Sequence, residues 1–246
     1  MQVTIKSFIG IGKDKSDDYV IFNEHAINNG EGEFSEELKV IGICDGVGGN
    51  AGGKMASGFV VDKIRSADIY PKTKQDMFSW FDQINEDLLS YANQDNSVNN
   101  MATTFSGLIQ SEATLFLVHV GNTRVYRRQG MFLKQMTVDQ TMYQLLVDRG
   151  AYEDAEICNK HEIYACLGGG SMDYIQPLFV NDIDVLQKDE CLLITSDGIH
   201  DYVPIEKLEE LLTNNSNTDE DRLNDIVLLA RENGSTDDCS IVLIRV

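Results

Sequence analysis

The chain has 246 residues, 42% of them hydrophobic, and a formal net charge of −20. That is enough apolar material for a substantial core, and the charge argues against a nucleic-acid backbone or an anionic membrane as the main partner. Few prolines, cysteines without CxxC spacing, no apolar leader in Met1-Gln2-Val3-Thr4-Ile5-Lys6 and no apolar run long enough to span a membrane point to one domain over 1–246, in a reducing cytoplasm and off the membrane.

Period-two and apolar runs predict strands over 3–9, 19–23 and 38–44, with the polar stretch 28–37 as a hairpin loop. Helical spacing predicts a helix over 51–66, through Met55, Phe59 or Val60, and Ile64. A second covers 74–93, through Met77, Phe81, Ile84, Leu88 and Tyr91, with Phe78 and Trp80 as further core. Four strand-like runs follow at 103–110, 113–120, 124–128 and 131–135, the last two joined by a tight turn at Gln129-Gly130. A helix over 141–149 ends at Gly150, a C-cap. Strands at 178–185 and 191–195, helices at 205–212 and 219–232, and a strand at 240–245 close the chain. Strands come in runs and helices in pairs, which predicts antiparallel sheets covered by helices rather than a βαβ array.

Two of the apolar strands run straight into Asp-Gly pairs, Asp45-Gly46 and Asp197-Gly198, and Asp237-Asp238 precedes the last strand. A carboxylate at the tip of a buried strand is costly unless something positive meets it, and no Lys or Arg directly adjoins any of the three. Oxygen donors without Cys or His suit hard divalent cations. The plainer alternative is three unrelated turns, since Asp-Gly is a common turn pair. Asp17-Asp18, ahead of another strand, is a candidate for the same cluster. Gly46-Val47-Gly48-Gly49-Asn50-Ala51 fits the dinucleotide-binding pattern, but Asp45 would repel a pyrophosphate and the βαβ rhythm is missing. A metal site fits that loop better, with the Gly46 carbonyl itself a ligand. Residues 14–18 begin like a calcium loop, but Tyr19 and His25 stand where that loop needs Gly and Glu.

Taken in order, the motifs resemble those of the metal-dependent serine/threonine protein phosphatases, the type-2C or PPM family, in compact bacterial form. Lys13 to Asp18 resembles the opening Arg and Asn-Glu-Asp motif. Asp45-Gly46-Val47-Gly48-Gly49 with Gly53-Lys54 and Ala56-Ser57 resembles Asp-Gly-Met-Gly-Gly-His-x-x-Gly-Glu-x-Ala-Ser. Met101-Ala102-Thr103-Thr104, Gly121-Asn122-Thr123-Arg124, Thr137-Val138-Asp139-Gln140-Thr141, Leu167-Gly168, Ser196-Asp197-Gly198 and Asp237-Asp238 follow in the family's order.

The resemblance implies a four-layer αββα sandwich of two mostly antiparallel sheets flanked by helix pairs. It implies a binuclear Mn²⁺ or Mg²⁺ centre with Asp45 bridging, Asp197 and Asp237 completing one ion's shell, and Asp18 or Asp17 with the Gly46 carbonyl serving the other. Asp45, Asp197 and Asp237 would be the catalytic set, and a metal-bound hydroxide would attack the phosphomonoester of a phosphoserine or phosphothreonine. Partners would be phosphorylated proteins and an opposing Ser/Thr kinase. The departures are specific. Lys13 stands in place of the phosphate-binding Arg and lacks its bidentate fork. Asn50 and Lys54 replace His and Glu. Asn122 replaces the Asp that would hold a third, weaker ion with Asp197 and Asp201. Asp139 reads as a cap for the helix that follows, His119 as core, and His200 as either a proton shuttle or a supporting residue. The competing reading is a catalytically weak or silent relative that binds a phosphoprotein or regulates a kinase.

Overall fold

Side chains alternate across a strand, and here both faces of the central strands are apolar. In the computed structural model, which describes residues 1–47, 51–94, 97–169, 178–184, 186–188, 190–214 and 217–246, Leu192 and Ile194 of β14 (Cys191–Thr195) and Val242 and Ile244 of β15 (Cys239–Arg245) enter one apolar cluster. Their neighbours Cys191, Leu193, Ile241 and Leu243 enter a second. On β5 (Val40–Cys44), Ile41 and Ile43 join the first cluster, while Val40 and Cys44 join a third. Three apolar layers require two facing sheets with helices outside each.

One six-stranded sheet has the order β11 (Phe132–Gln135), β10 (Arg124–Gln129), β14, β15, β1 (Gln2–Phe8), β4 (Gly30–Ser35). The other has the order β13 (Phe179–Ile183), β9 (Thr114–Val120), β8 (Phe105–Ser111), β5, β2 (Tyr19–Phe22), β3 (His25–Ile27). Pairing in both is antiparallel. A small third sheet joins β12 (Leu167–Gly168), β7 (Ala102–Thr103) and β6 (Gly46–Val47). α1 (Ala51–Arg65) and α2 (Lys74–Ala92) cover the second sheet through Val60, Ile64, Met77, Phe81 and Leu88. α5 (Asp197–His200), α6 (Ile205–Thr213) and α7 (Asp219–Glu232) cover the first through Ile199, Leu208, Leu223 and Ile226. This is the expected αββα sandwich. Among the described residues no helix is long and apolar enough to cross a membrane.

Several sequence expectations are corrected. Residues 28–37 are not a loop: β4 lies there, an edge strand whose residues alternate between half-buried and exposed. Its Gly and Glu content hid it, and charge is what a free edge tolerates. The predicted strand 103–110 divides at Thr104, whose N–H is taken by the Asp45 carbonyl at 2.8 Å; β7 leaves for the small sheet. Met55 and Tyr91 are exposed, at 36% and 41%: the inward stripe of α1 runs through Ala56, Val60 and Ile64, and that of α2 ends on Leu88 and Ala92. α3 (Met142–Asp148) and α4 (Tyr152–Ile157) form a further helix pair with Ala155 as its buried side chain; the sequence predicted only the first helix. Gly150 does cap α3, with φ +73 and its N–H on the Val147 carbonyl at 2.9 Å. Asn50 and Val185 lie outside the described residues.

Candidate metal centre

The two Asp-Gly pairs reach one cavity, about 360 Å³ in volume, lined by Asp45, Gly46, Asp197, Asp237, Asp17, Lys13 and Asn122 among others. Neither glycine has positive φ. Both are needed for close backbone approach. A Cβ on Gly46 would lie 2.4 Å from the Gly53 carbonyl oxygen and 2.8 Å from that of Asp17, and one on Gly198 would lie 1.9 Å from the Asp238 carbonyl oxygen. The first glycine thus seats α1 against the 16–18 loop, and the second seats α5 against the start of β15. Turn propensity alone does not account for them.

Asp18 is 1% exposed, and its Oδ2 has no hydrogen-bond partner. Burial, then repulsion from Asp238 and Asp197, pushes its carboxyl up to about 8. Burial and the neighbouring Asp18, Asp197 and Asp237 carry Asp45 well above the usual carboxylate range. Burial, Asp237 and Asp201 raise Asp197 to about 6. These carboxylates are held against their own repulsion. Among the described residues no three His, Cys, Asp or Glu side chains are already closed around a common point. Nearby donors meet some of these oxygens: Lys13 Nζ lies 2.5 Å from Asp237 Oδ1 and 3.1 Å from Asp238 Oδ2, and Asn122 Nδ2 donates to Asp197 Oδ2 at 3.0 Å. An oxygen-only donor set with an orphaned buried carboxylate oxygen fits hard divalent cations.

The paired acids separate in role. Asp17 and Asp237 line the cavity while Asp18 lies beneath it. Asp238, 2% exposed, accepts from the Gly10 N–H at 2.6 Å and the Asp17 N–H at 2.8 Å, tying the 10–17 loop to β15. Lys13, expected to bind phosphate, is engaged by carboxylates; burial opposes its charge, but the hydrogen bonds to Asp237 and Asp238 outweigh that and raise its pKa.

Asn122 and Asp201 also line a second cavity of about 360 Å³ with Arg124, Asp139, His161 and His200. His161 Nδ1 is 2.9 Å from Asp201 Oδ2. Nothing in the sequence marks His161; the α3–α4 excursion delivers it. Asp139 does not cap α3. Thr141 does, accepting from the Gln144 N–H at 3.2 Å, and Asp139 holds the Arg124 guanidinium at 2.6–3.0 Å. His119 is a core residue between Ser106 Oγ (2.7 Å) and the Val138 carbonyl (2.9 Å), and burial takes it down to about 4. His200 is buried against Thr195 Oγ1 at 2.9 Å and held neutral by burial, which favours the supporting role over the shuttle.

No family model matches the chain. The serine/threonine phosphatase Stp of Listeria monocytogenes is 24% identical over 228 residues, 89% of this chain and 88% of its own. The serine/threonine phosphatase of S. agalactiae superposes with a TM-score of 0.81 at 19% identity, covering 100% of both chains. The catalytic domain of the serine/threonine protein phosphatase PstP, solved in complex with two manganese ions, superposes with a TM-score of 0.73 at 22% identity, covering 99% of this chain and 98% of its own.

Proposed function

We propose that this chain is a bacterial PPM-type serine/threonine phosphatase, which hydrolyses phosphoserine and phosphothreonine esters of proteins at a centre for two divalent cations, Mn²⁺ or Mg²⁺. The observation that carries this reading is the set of mutually repelling carboxylates: Asp45 and Asp197 line a cavity that Asp17, Asp237 and the Gly46 backbone complete, and Asp18 is buried beside them.

Asp45 would hold both ions, Asp197 and Asp237 one of them, and Asp17 with the Gly46 carbonyl the other, with Asp18 supporting from below. When bound, the ions supply charge neutralisation at the phosphoryl group and activation of a water molecule. The chain's own residues do the rest. Lys13, at the cavity wall, binds a phosphate oxygen as a point charge once that group displaces it from Asp237. Asn122 keeps the Asp197 carboxylate turned toward the cavity. Water replaces the serine or threonine oxygen at phosphorus without a covalent enzyme intermediate. In keeping with this, none of the five cysteines lines the cavity, and four of them are buried.

The same reading makes residues 1–246 one phosphatase domain, working in the cytoplasm on phosphoproteins supplied by an opposing Ser/Thr kinase. Turnover of p-nitrophenyl phosphate and a phosphoserine peptide with Mn²⁺, against a chelator control, tests it. The second reading, a silent phosphoprotein-binding relative, draws on the engagement of Asp237 by Lys13 and of Asp197 by Asn122. Phosphopeptide binding without turnover at saturating Mn²⁺ would select it.

A further inference from the structure

Lys54, near the start of α1, replaces the family's Glu, and its ammonium donates to Asn28 Oδ1 at 2.6 Å while lying 5.9 Å from the centre of the Tyr19 ring. On its other side, Asn28 Nδ2 donates to the Ser16 carbonyl at 3.0 Å and the Asp18 carbonyl at 2.6 Å. Those carbonyls flank Asp17. The Asp17 carbonyl accepts from Ser57 Oγ at 2.6 Å, and its carboxylate accepts from the Lys54 N–H at 3.0 Å. The segment carrying both acids is therefore gripped from outside the cavity. An amide has one donating and one accepting end, and an ammonium can only donate. Lys54 thus decides which end of Asn28 meets the loop. A glutamate at 54 would offer acceptors, turn the amide round, and set its oxygen against two carbonyls.

We propose that Lys54 is a positioning residue of the metal centre: acting through the Asn28 amide, it holds the 16–18 loop in the arrangement that receives the cation on the Asp17 side. This rests on the two-cation reading above. A purely direct effect of the ammonium has the opposite sign, because a positive charge near a cation site weakens binding. Removing the charge alone would then tighten metal, and removing the positioning would loosen it.

The test is calorimetric titration of the metal-free full chain with Mn²⁺, for the parent, Lys54→Met, Lys54→Arg, Asn28→Ala, Asn28→Asp and Lys54→Met/Asn28→Ala. Lys54→Met keeps the apolar stem and loses the donor; it should weaken Mn²⁺ about tenfold, about 1.4 kcal/mol. Lys54→Arg keeps a donor and should stay within about threefold of the parent. Asn28→Ala should match Lys54→Met, and the double variant should be no weaker than Asn28→Ala, since one residue acts through the other. Asn28→Asp should also weaken binding, although it adds negative charge, because a carboxylate cannot donate to Ser16 and Asp18; it decides the matter even if Lys54→Met folds poorly. Tighter binding in Lys54→Met or Asn28→Asp, or additive losses in the double variant, overturns the proposal. A parent that binds no Mn²⁺ overturns the two-cation reading and this inference with it. A parent that binds while Lys54→Met is unchanged overturns this inference alone.

Discussion

Asn122 donates its amide to Asp197 Oδ2 at 3.0 Å, a donor at the position where the phosphatase resemblance implies an acidic ligand for a third, weaker ion. Asp201, the partner expected for that ligand, contacts His161 at 2.9 Å. Asn122→Asp exchanges the donor for a carboxylate beside two others, and carboxylates are the stronger ligands for hard cations. The variant should need less Mn²⁺ for half-maximal activity, and the gain should vanish in an Asp201→Ala background. Metal titrations of the parent, the single and the double variants check this. A gain that survives without Asp201 places the new carboxylate's action elsewhere.

Asp45→Asn and Asp197→Asn should each lower turnover at least about 100-fold, about 2.7 kcal/mol of barrier. Both should melt no lower than the parent in chelator, because each removes a charge from a self-repelling set. Steady-state kinetics paired with thermal melts measure the two effects separately. A folded variant with parental turnover removes its residue from the centre.

Lys13→Ala should raise KM for a phosphopeptide more than it lowers kcat, since a phosphate-positioning charge binds largely in the ground state. Lys13→Arg should retain binding through its fork. An unchanged KM in Lys13→Ala would show that the ammonium serves only Asp237 and Asp238.

The pH dependence of the metal-free protein has a definite sign. Asp18 and Asp197 are raised from an ordinary 3.8 to about 8 and about 6. Between the ordinary value and these, the folded chain holds protons that the unfolded chain has released, so stability falls as pH rises through that window. In chelator the protein should melt higher at about pH 5.5 than at about pH 8, and Mn²⁺ should raise the melting temperature more at the higher pH, where protons no longer compete. Thermal melts with and without Mn²⁺ at both pH values provide the check. A larger Mn²⁺ shift at the lower pH contradicts it.

Gly198→Ala would bring a Cβ to 1.9 Å from the Asp238 carbonyl oxygen, a backbone atom that cannot step aside. Loss of about 3 kcal/mol or more, at or beyond the upper range for overpacking, is expected in urea unfolding. A variant as stable as the parent would mean that α5 shifts freely against β15.

The layered fold was legible because its causes are local. Apolar runs bounded by turn residues mark β5, β14 and β15, and helical spacing marks α1 and α2. The misses share a reason. β4 is a strand through pairing with β1, although its own residues are Gly and Glu. α4 buries only Ala155, so no inward stripe marks it.

For the site, the sequence by itself determined which residue types end the apolar strands, and hence that an oxygen-donor centre is plausible at Asp45, Asp197 and Asp237. It could not tell Asp17 from Asp18 or Asp237 from Asp238, because adjacent acids have the same composition and differ only in direction. The tertiary structure decided that Asp17 and Asp237 face the cavity, that Asp238 turns back to hold the Gly10 and Asp17 N–H groups, and that Lys54 reaches the 16–18 loop through Asn28. These are contacts between segments far apart in the chain. Side-chain direction and long-range partners are set by how the two sheets and α1 close on one another, which no local pattern records.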